Sequence, residues 1–142
     1  MRTVGEFLQD RKGPMHSIEP YHTVREALEL MAQHNIGALL VMAGPRLVGV
    51  FSERDYARKI ALLGRSSSHT QVSQIMSGDV ISVSPKQTIE ECMELMTNHH
   101  IRHLPVLQEG QLLGLISIGD VVREMLAAQK FLIDQMHSYI SG

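Results

Sequence analysis

The chain has few of the residues that mark a disulfide-stabilised or aromatic-rich protein. Among 142 residues there is one cysteine, no tryptophan and 4% aromatic residues. A single cysteine excludes an intramolecular disulfide. Cys92 lies within a helical pattern of apolar residues, so we expect it to be a small core residue rather than a reactive thiol.

Long apolar segments and an excess of one charge are missing as well. No apolar run approaches the roughly 20 residues that span a bilayer, and the N-terminal sequence MRTVGEFLQDRKG has no signal-peptide apolar region. We therefore expect a cytoplasmic protein that does not contact a membrane. The net charge is -2 and no stripe of lysine and arginine is present, which argues against binding to a nucleic acid duplex, because such binding rests on phosphate neutralisation.

The sequence also lacks the common catalytic and metal-binding patterns. It contains no G-x-S-x-G motif and no P-loop lysine motif, and no histidine is placed by its spacing beside a serine nucleophile. His99, His100 and His103 have no cysteine or nearby carboxylate that would complete a tetrahedral zinc site. We expect neither an enzyme nor a metal site.

What the chain does have is an internal duplication. Residues 17–58 (repeat 1) align without a gap on residues 82–123 (repeat 2), and 16 of the 42 aligned positions are identical. A unit of this length cannot bury its apolar face alone, so the two copies should pack together and leave a pseudo-symmetric cleft between them. This cleft is where the function should be sought.

Each repeat has the pattern of a β-α-β-β-α unit. Predicted strands cover residues 15–18, 38–42 and 47–51 in the first half and 80–83, 104–107 and 112–116 in the second. Thr23 and Thr88 can cap the first helix of each unit, and a second helix should begin near Ser52 or Ser117. We predict an α/β (α+β) fold of two such repeats packed with pseudo-two-fold symmetry, with helices on one face of a small mixed sheet and a right-handed crossover.

The domain organisation follows from the repeats. Residues 64–70 are small and polar, as in a linker, although a phosphorylation or ligand-binding loop is an alternative. Short helices are expected at residues 4–9 and 72–76. We therefore divide the chain into residues 1–64 (repeat 1 with an N-terminal helix), 65–71 (linker) and 72–142 (repeat 2 with a long C-terminal helix).

A shared motif, G-h-h-S-x-x-D, ends the third strand of both units. It contains Ser52 and Asp55 in repeat 1, and Ser117 and Asp120 in repeat 2. One interpretation is a capping box, in which the serine accepts from a free amide of the following helix. The other is a nucleotide site, in which the helix start attracts phosphate and the carboxylate accepts hydrogen bonds from a ribose diol. The motif glycine would allow a ligand or a neighbouring backbone to approach closely.

Together with this motif, the stretches NIGALLV (residues 35–41) and HIRHLPV (residues 100–106) resemble those of the CBS domain, the repeat named after cystathionine-β-synthase. The resemblance covers nearly the whole chain and is closest to stand-alone proteins with two CBS domains, which together form a Bateman module. It implies that the protein is a regulatory sensor of adenine nucleotides such as AMP, ATP or NAD. The alternative function is a constitutive dimeric scaffold without a physiological ligand.

The resemblance also implies which residues bind the ligand. The cleft would hold up to two adenosyl ligands, with Asp55 and Asp120 on ribose and Ser52 and Ser117 near phosphate. The remaining implied positions are Ile18, Gly37, Ala38, Val80 and Val83 around the adenine, Arg102 and His103 at the phosphates, and Arg54 as a further charge. Because repeat 1 has Gly37 and Ala38 where repeat 2 has Arg102 and His103, the two sites should not be equivalent. For Arg102 and the neighbouring histidines, favourable placement at a helix C-terminus is the alternative explanation.

The C-terminal region has the pattern of a helix that can pair with another helix. Apolar residues recur at alternating steps of four and three, with Gln129 at the remaining position of the series: Ile118, Val122, Met125, Leu132, Met136 and Tyr139. The first half can pack on its own repeat, whereas nothing in the duplicated pattern covers the residues beyond 130. We expect a homodimer that signals nucleotide occupancy to an unknown downstream protein.

Overall fold

The computed structural model describes residues 2–11 and 15–141. The first half contains α1 (Val4–Asp10), β1 (Ser17–Ile18), α2 (Val24–His34), β2 (Ala38–Ala43), β3 (Arg46–Ser52) and α3 (Glu53–Tyr56), which continues as a π-helical segment, Ala57–Ala61. A 3-10 turn, Val72–Gln74, precedes the second half. That half contains α4 (Ile89–His99), β4 (His103–Gln108), β5 (Gln111–Ser117) and α5 (Ile118–Ser141). The predicted α/β fold with two related units and a long C-terminal helix is confirmed.

Local sequence explains where the first helix of each unit begins and ends. The Thr23 hydroxyl accepts from the Glu26 amide at 3.1 Å, and the Glu26 carboxylate accepts from the Thr23 amide at 3.1 Å, which is a complete capping box. Thr88 caps α4 through its hydroxyl, which accepts from Glu91 N at 3.2 Å. Both helices end in a residue with left-handed backbone, Asn35 (φ 52°) in α2 and His100 (φ 54°) in α4. The duplication therefore extends to the helix ends.

The two sheets differ by one strand. In the first sheet, β1 pairs in parallel with β2, and β2 pairs in antiparallel with β3. The second sheet contains only β4 and β5. The strands predicted over 15–18 and 80–83 were wrong in extent. The first contains only Ser17 and Ile18, and in the second only Val83 bridges to β4, by hydrogen bonds of 2.9 Å to Pro105 O and from Leu107 N.

Two-residue turns connect the strands of each hairpin. Gly44, with φ of +61°, starts the first turn and is followed by Pro45. In the second turn, Glu109 and Gly110 have φ of +51° and +78°. Positive φ at these positions matches the right-handed twist of the strands, and it explains why glycine occurs in both turns.

Each half has its own hydrophobic core, and the segment that precedes each repeat packs into the core of the other repeat. Val4, at the start of α1, is fully buried against the core of repeat 2, beside Phe7 and Leu8. Conversely, Val72 and Ile75 are buried in the core of repeat 1. The two halves are therefore packed together by crossed segments, so that neither core is complete without a segment from the other side of the duplication.

Cys92 is fully buried in the core of repeat 2, as expected. Its burial raises the pKa of the thiol to about 11. At neutral pH the group is therefore a protonated thiol, which behaves as a small apolar residue.

The connection between the repeats is hydrogen-bonded to α2. The carbonyl oxygens of Ser67 and Thr70 accept from Arg25 N and Val24 N at 3.0 and 2.9 Å, which satisfies two free amides in the first turn of that helix. Thr70 is buried, and its hydroxyl donates to Ser66 O at 2.7 Å. The assignment of residues 65–71 as a linker between two domains stays a prediction.

The long helix α5 is covered only at its start. Val121 is fully buried, and Ile118 and Met125 pack on the core of repeat 2. From Leu126 to Ile140 its side chains are exposed. Within residues 2–11 and 15–141, no helix combines the length and apolar character that a bilayer crossing requires.

Candidate functional site

A cleft of about 1290 Å³ lies between the two repeats. Repeat 1 supplies the end of β3, the start of α3 and Gly37, while repeat 2 supplies the end of α4, the start of β4 and the segment that begins at Ser77. Seven of the twelve residues expected at the site line this cleft: Gly37, Ser52, Arg54, Asp55, Val80, Arg102 and His103.

The other five expected residues do not line the cleft. Ile18 and Val83 are buried in the two cores, and Ala38 is buried within β2. Ser117 and Asp120 lie at the corresponding junction of repeat 2. Of the residues expected around an adenine, the structure brings only Gly37 and Val80 into the shared cleft.

Asp55 is positioned by a capping box at the start of α3. Ser52 Oγ accepts from Asp55 N at 3.2 Å, while Asp55 Oδ2 accepts from Ser52 N at 2.9 Å and from Ser52 Oγ at 3.1 Å. The second carboxylate oxygen, Oδ1, lies 3.4 Å from both Lys59 Nζ and Ser77 Oγ. The capping geometry is therefore present, and it leaves one carboxylate oxygen directed at polar groups that line the cleft.

The motif glycines make room for neighbouring protein segments. A Cβ on Gly49 would lie 2.6 Å from the Met76 sulfur and 3.0 Å from Ser77 O. Ser77 and Val50 exchange two backbone hydrogen bonds of 3.0 and 3.1 Å, which require this close approach. Of the two possibilities left open by the sequence, a close ligand or a close backbone, the second applies at this position.

Four basic side chains line the cleft: Arg54, Arg58, Lys59 and Arg102. Arg54 Nη1 donates to His100 O at 2.7 Å, so it links α3 of repeat 1 to the C-terminal end of α4 in repeat 2. Sequence reasoning missed Arg58 and Lys59. Helical spacing could have predicted them, because residues four positions apart lie on one face of a helix. Arg58 is four residues after Arg54, and Lys59 is four residues after Asp55.

Three histidines, His99, His100 and His103, share the cleft with the acidic residues Glu53, Asp55 and Asp79. Burial lowers the pKa of His103 below its usual value, and the nearby Arg102 charge acts in the same direction. The carboxylates of Asp120, Glu53 and Asp55 oppose this shift without reversing it. His103 is therefore mainly neutral at neutral pH. Throughout the part of the chain that the structure describes, no three histidine, cysteine or acidic residues are grouped to hold a metal ion.

Asp120, the counterpart of Asp55, is buried in a different set of contacts. Its Oδ2 accepts from Ser117 N at 2.8 Å and from Arg11 Nη2 at 3.2 Å. Its Oδ1 accepts from Arg123 Nη2 at 2.9 Å. Arg11 also donates to the carbonyl oxygen of Leu115. Identical motif residues thus occupy two electrostatically different positions.

Comparison with known proteins gives matches to both halves of the chain. The sequence profile of the CBS domain family matches residues 4–62 and 72–127. A mitochondrial CBS domain-containing protein of Arabidopsis thaliana is 41% identical over 125 residues, which cover 84% of this chain and 61% of that protein. The chain thus spans about three fifths of the length of that relative.

Solved structures extend the comparison to the fold. A structure from Burkholderia ambifaria, described as a candidate signal-transduction protein with CBS domains, is 46% identical with a TM-score of 0.86, over 89% of this chain and 96% of that one. A hexameric CBS-CP12 protein from bloom-forming cyanobacteria is 28% identical with a TM-score of 0.74, over 84% of this chain and 70% of that one.

The close relatives are stand-alone CBS-domain proteins without catalytic domains, in agreement with the prediction that this protein is not an enzyme. The duplicated motif, the paired lobes and both matches of the family profile lead to one assignment. The chain belongs to the CBS domain family and carries a tandem pair of CBS domains.

Proposed function

We propose that the protein is a regulatory sensor that binds an adenine nucleotide in the cleft between its two CBS domains and signals occupancy to a partner protein. One observation carries this proposal. The Asp55 carboxylate and four basic side chains line a single cleft to which both repeats contribute. A carboxylate suits a ribose diol and basic side chains suit phosphates, so the cleft offers the two kinds of polar contact that a nucleotide needs.

The chemistry of the cleft supports AMP, ATP or NAD as the ligand. The apolar side chains of Val80, Ile81 and Ile101 provide a surface for the base, and Arg102 is available for a phosphate. A hydrogen bond to an ionised group contributes about 1.5–3 kcal/mol, compared with about 1 kcal/mol for a neutral pair. Two such contacts with phosphate oxygens are therefore enough to give useful affinity, while the ribose and base contribute selectivity.

Signalling would follow from linkage rather than from turnover. A ligand that touches both lobes favours whichever arrangement of the lobes it binds more tightly, and it shifts the equilibrium only by that difference in affinity. The hydrogen bond from Arg54 to His100 O already crosses between the repeats beside the cleft. A phosphate that competes for Arg54 would change this contact and so transmit occupancy from one lobe to the other.

Isothermal titration calorimetry tests the proposal. AMP, ATP and NAD are titrated separately into the full chain and into Asp55→Asn, with Glu94→Gln on an exposed position of α4 as the matched control. At least one nucleotide should bind saturably to the native chain and to the control, with affinity lowered at least tenfold in Asp55→Asn because the ribose loses its charged acceptor. Equal affinity in all three proteins would contradict the assigned site.

The scaffold alternative has an observation in its favour, namely the complete capping box at Ser52 and Asp55. In that case Asp55 acts only on α3, and none of the three nucleotides produces binding heat in the native chain. Asp55→Asn would then lower stability slightly, by about 1 kcal/mol as for the loss of a cap, with no change in ligand response.

We also propose that α5 joins two copies of the chain into a homodimer. Beyond the covered start of the helix, Leu132, Met136 and Tyr139 are 60%, 57% and 89% exposed, and they continue the apolar series along one face. The charged residues of this stretch, Lys130 and Asp134, fall at other positions of the seven-residue pattern. Two identical helices can therefore meet along this face without placing like charges opposite each other.

Gln129 occupies the middle of the same face. A polar residue at one central position of a helix pair fixes the register, because its amide finds a partner only when the two copies are aligned. Its place in the series supports a second copy of this chain as the partner of α5. The hexameric relative among the solved structures supports self-association in the family.

We retain the cytoplasm as the proposed location, although the Arabidopsis relative is named as mitochondrial.

A further inference from the structure

The two motif carboxylates differ in the charged groups that contact them. At Asp55, the oxygen outside the cap lies 3.4 Å from the Lys59 ammonium and from a neutral hydroxyl, that of Ser77. At Asp120, two guanidinium groups bind the carboxylate, Arg11 at 3.2 Å and Arg123 at 2.9 Å. The Asp120 side chain is 7% exposed and the Asp55 side chain is 13% exposed.

One of the two guanidinium groups on Asp120 comes from outside the duplicated segment, whereas Arg123 has an identical counterpart, Arg58, in repeat 1. At the spacing of the repeats, Arg11 corresponds to Met76, whose side chain packs against the core of repeat 1. No guanidinium can reach Asp55 from that position. Arg11, by contrast, reaches both Leu115 O at the end of β5 and the Asp120 carboxylate.

Arg11 is held in this position by the crossed packing of α1. It is the C-terminal cap of α1, and that helix is fixed to the core of repeat 2 through Val4, Phe7 and Leu8. The Arg11 guanidinium also lies 5.4 Å from the centre of the Phe7 ring, where a cation is attracted by the ring face. The contact between Arg11 and Asp120 is therefore part of the packed structure of the chain.

We infer that each chain binds one nucleotide, at Asp55, and that Arg11 keeps the equivalent carboxylate of Asp120 unavailable. This inference rests on the proposed nucleotide-binding function. Two charged donors already bind a carboxylate that is only 7% exposed, and they are stronger partners for it than neutral ribose hydroxyls. Arg11 is thus a specificity-determining residue that sets the number of nucleotide sites. The motif alone, which occurs twice, would predict two sites.

Calorimetric stoichiometry tests the inference, with ATP and AMP as separate probes of the full chain. The native chain should bind one nucleotide per chain, and Asp55→Asn should lose that site. Arg11→Met, which copies the residue found at the corresponding position before repeat 2, should increase the stoichiometry towards two. The double variant Arg11→Met/Asp120→Asn should return it to one.

Arg25→Met is the matched control, because Arg25 pairs only with Glu29 on the exposed face of α2 among the described ion pairs. It should bind one nucleotide per chain with unchanged affinity. Circular dichroism and a thermal melt establish that each variant is folded. If Arg11→Met does not fold, Arg11→Gln removes the charge with less change in shape and should show the same gain.

Two results would overturn the inference while leaving the proposed function intact. One is a stoichiometry of two for the native chain. The other is a stoichiometry of one for a folded Arg11 variant that has lost its contact with Asp120. A native chain that binds none of AMP, ATP and NAD would instead contradict the proposed function, and the inference with it.

Discussion

At the scale of single residues, chemically identical groups acquire different properties from their surroundings. Asp55 and Asp120 share a motif and a capping geometry, yet one faces a cleft and the other is enclosed by two arginines. Sequence reasoning predicted that the two sites would differ, but it placed the difference at Gly37 and Arg102. The contacts of Arg11 were not predictable, because it lies outside the repeat and 109 residues from Asp120.

The partly buried imidazole of His103 should make stability depend on pH. Its pKa is lowered in the folded chain, so between that value and about 6.5 the unfolded chain binds more protons. Stability should therefore fall as the pH decreases through this range, with a slope of at most about 1.4 kcal/mol per pH unit for one proton. Urea unfolding at pH 7.5, 6.5 and 5.5 measures the slope.

His103→Gln is the informative variant for this dependence. It should reduce the loss of stability between pH 7.5 and 5.5, because glutamine does not titrate. The pKa of Glu26 is lowered to about 2, so Glu26 affects stability in a different pH range. Its stabilising effect is complete above about pH 4.5 and is lost as the pH falls from there towards about 2. An unchanged slope in the variant would show that His103 is not the titrating group.

Gly49 provides a steric prediction. In Gly49→Ala the new Cβ would lie 2.6 Å from the Met76 sulfur and 3.0 Å from Ser77 O, so the segment at 76–77 must move. Overpacking of this kind costs typically about 1–3 kcal/mol. Gly78→Ala is the control, since no atom lies within 4 Å of its added Cβ. Thermal unfolding should show a lower midpoint for the first variant alone, and equal midpoints would disprove the requirement for glycine.

At the scale of elements, local pattern predicted most of the structure. The helix caps at Thr23 and Thr88 and the two glycine-containing hairpins follow from residue chemistry within a few positions, and all of them are present. The predicted strand at 80–83 was too long, because strand length depends on how many residues a neighbouring strand can pair with. Only Val83 is placed to bond to β4 on both sides.

The crossed packing of α1 and of the segment at 72–76 gives an element-level prediction. Val4→Ala should destabilise repeat 2, and Ile75→Ala should destabilise repeat 1, because each side chain is buried in the core of the other half. Loss of buried methyl groups costs about 1–4 kcal/mol at such positions.

Hydrogen exchange distinguishes this arrangement from one in which each segment packs on the repeat that follows it in the sequence. In Val4→Ala the amides of α4 should lose more protection than those of α2, and in Ile75→Ala the order should reverse. If each substitution instead affected the repeat that follows it in the sequence, the crossed packing would be wrong.

At the scale of the whole molecule, the uncovered face of α5 is the proposed contact between two copies of the chain. Leu132→Glu places a charge in the apolar series, so it should convert a dimer into a monomer while leaving the two CBS domains folded. Lys130→Glu is the matched control, because it changes charge by a larger amount on a different face of the same helix. Analytical ultracentrifugation separates the outcomes: a dimer in both variants, or a monomer for the native chain, would contradict the proposed role of α5.

The amino-acid sequence by itself determined the two related units with their α-β-β-α order, their caps and turns, the burial of Cys92 and the CBS family. Each of these depends on residue type and on spacing over a few turns of chain, which the sequence displays directly. Only the tertiary structure decided which motif carboxylate faces the cleft and that Arg58 and Lys59 line it. It also decided that α1 and the segment at 72–76 each pack into the core of the other half. These features arise from contacts between segments that are distant in sequence, where packing of the two cores, rather than local preference, selects the neighbours.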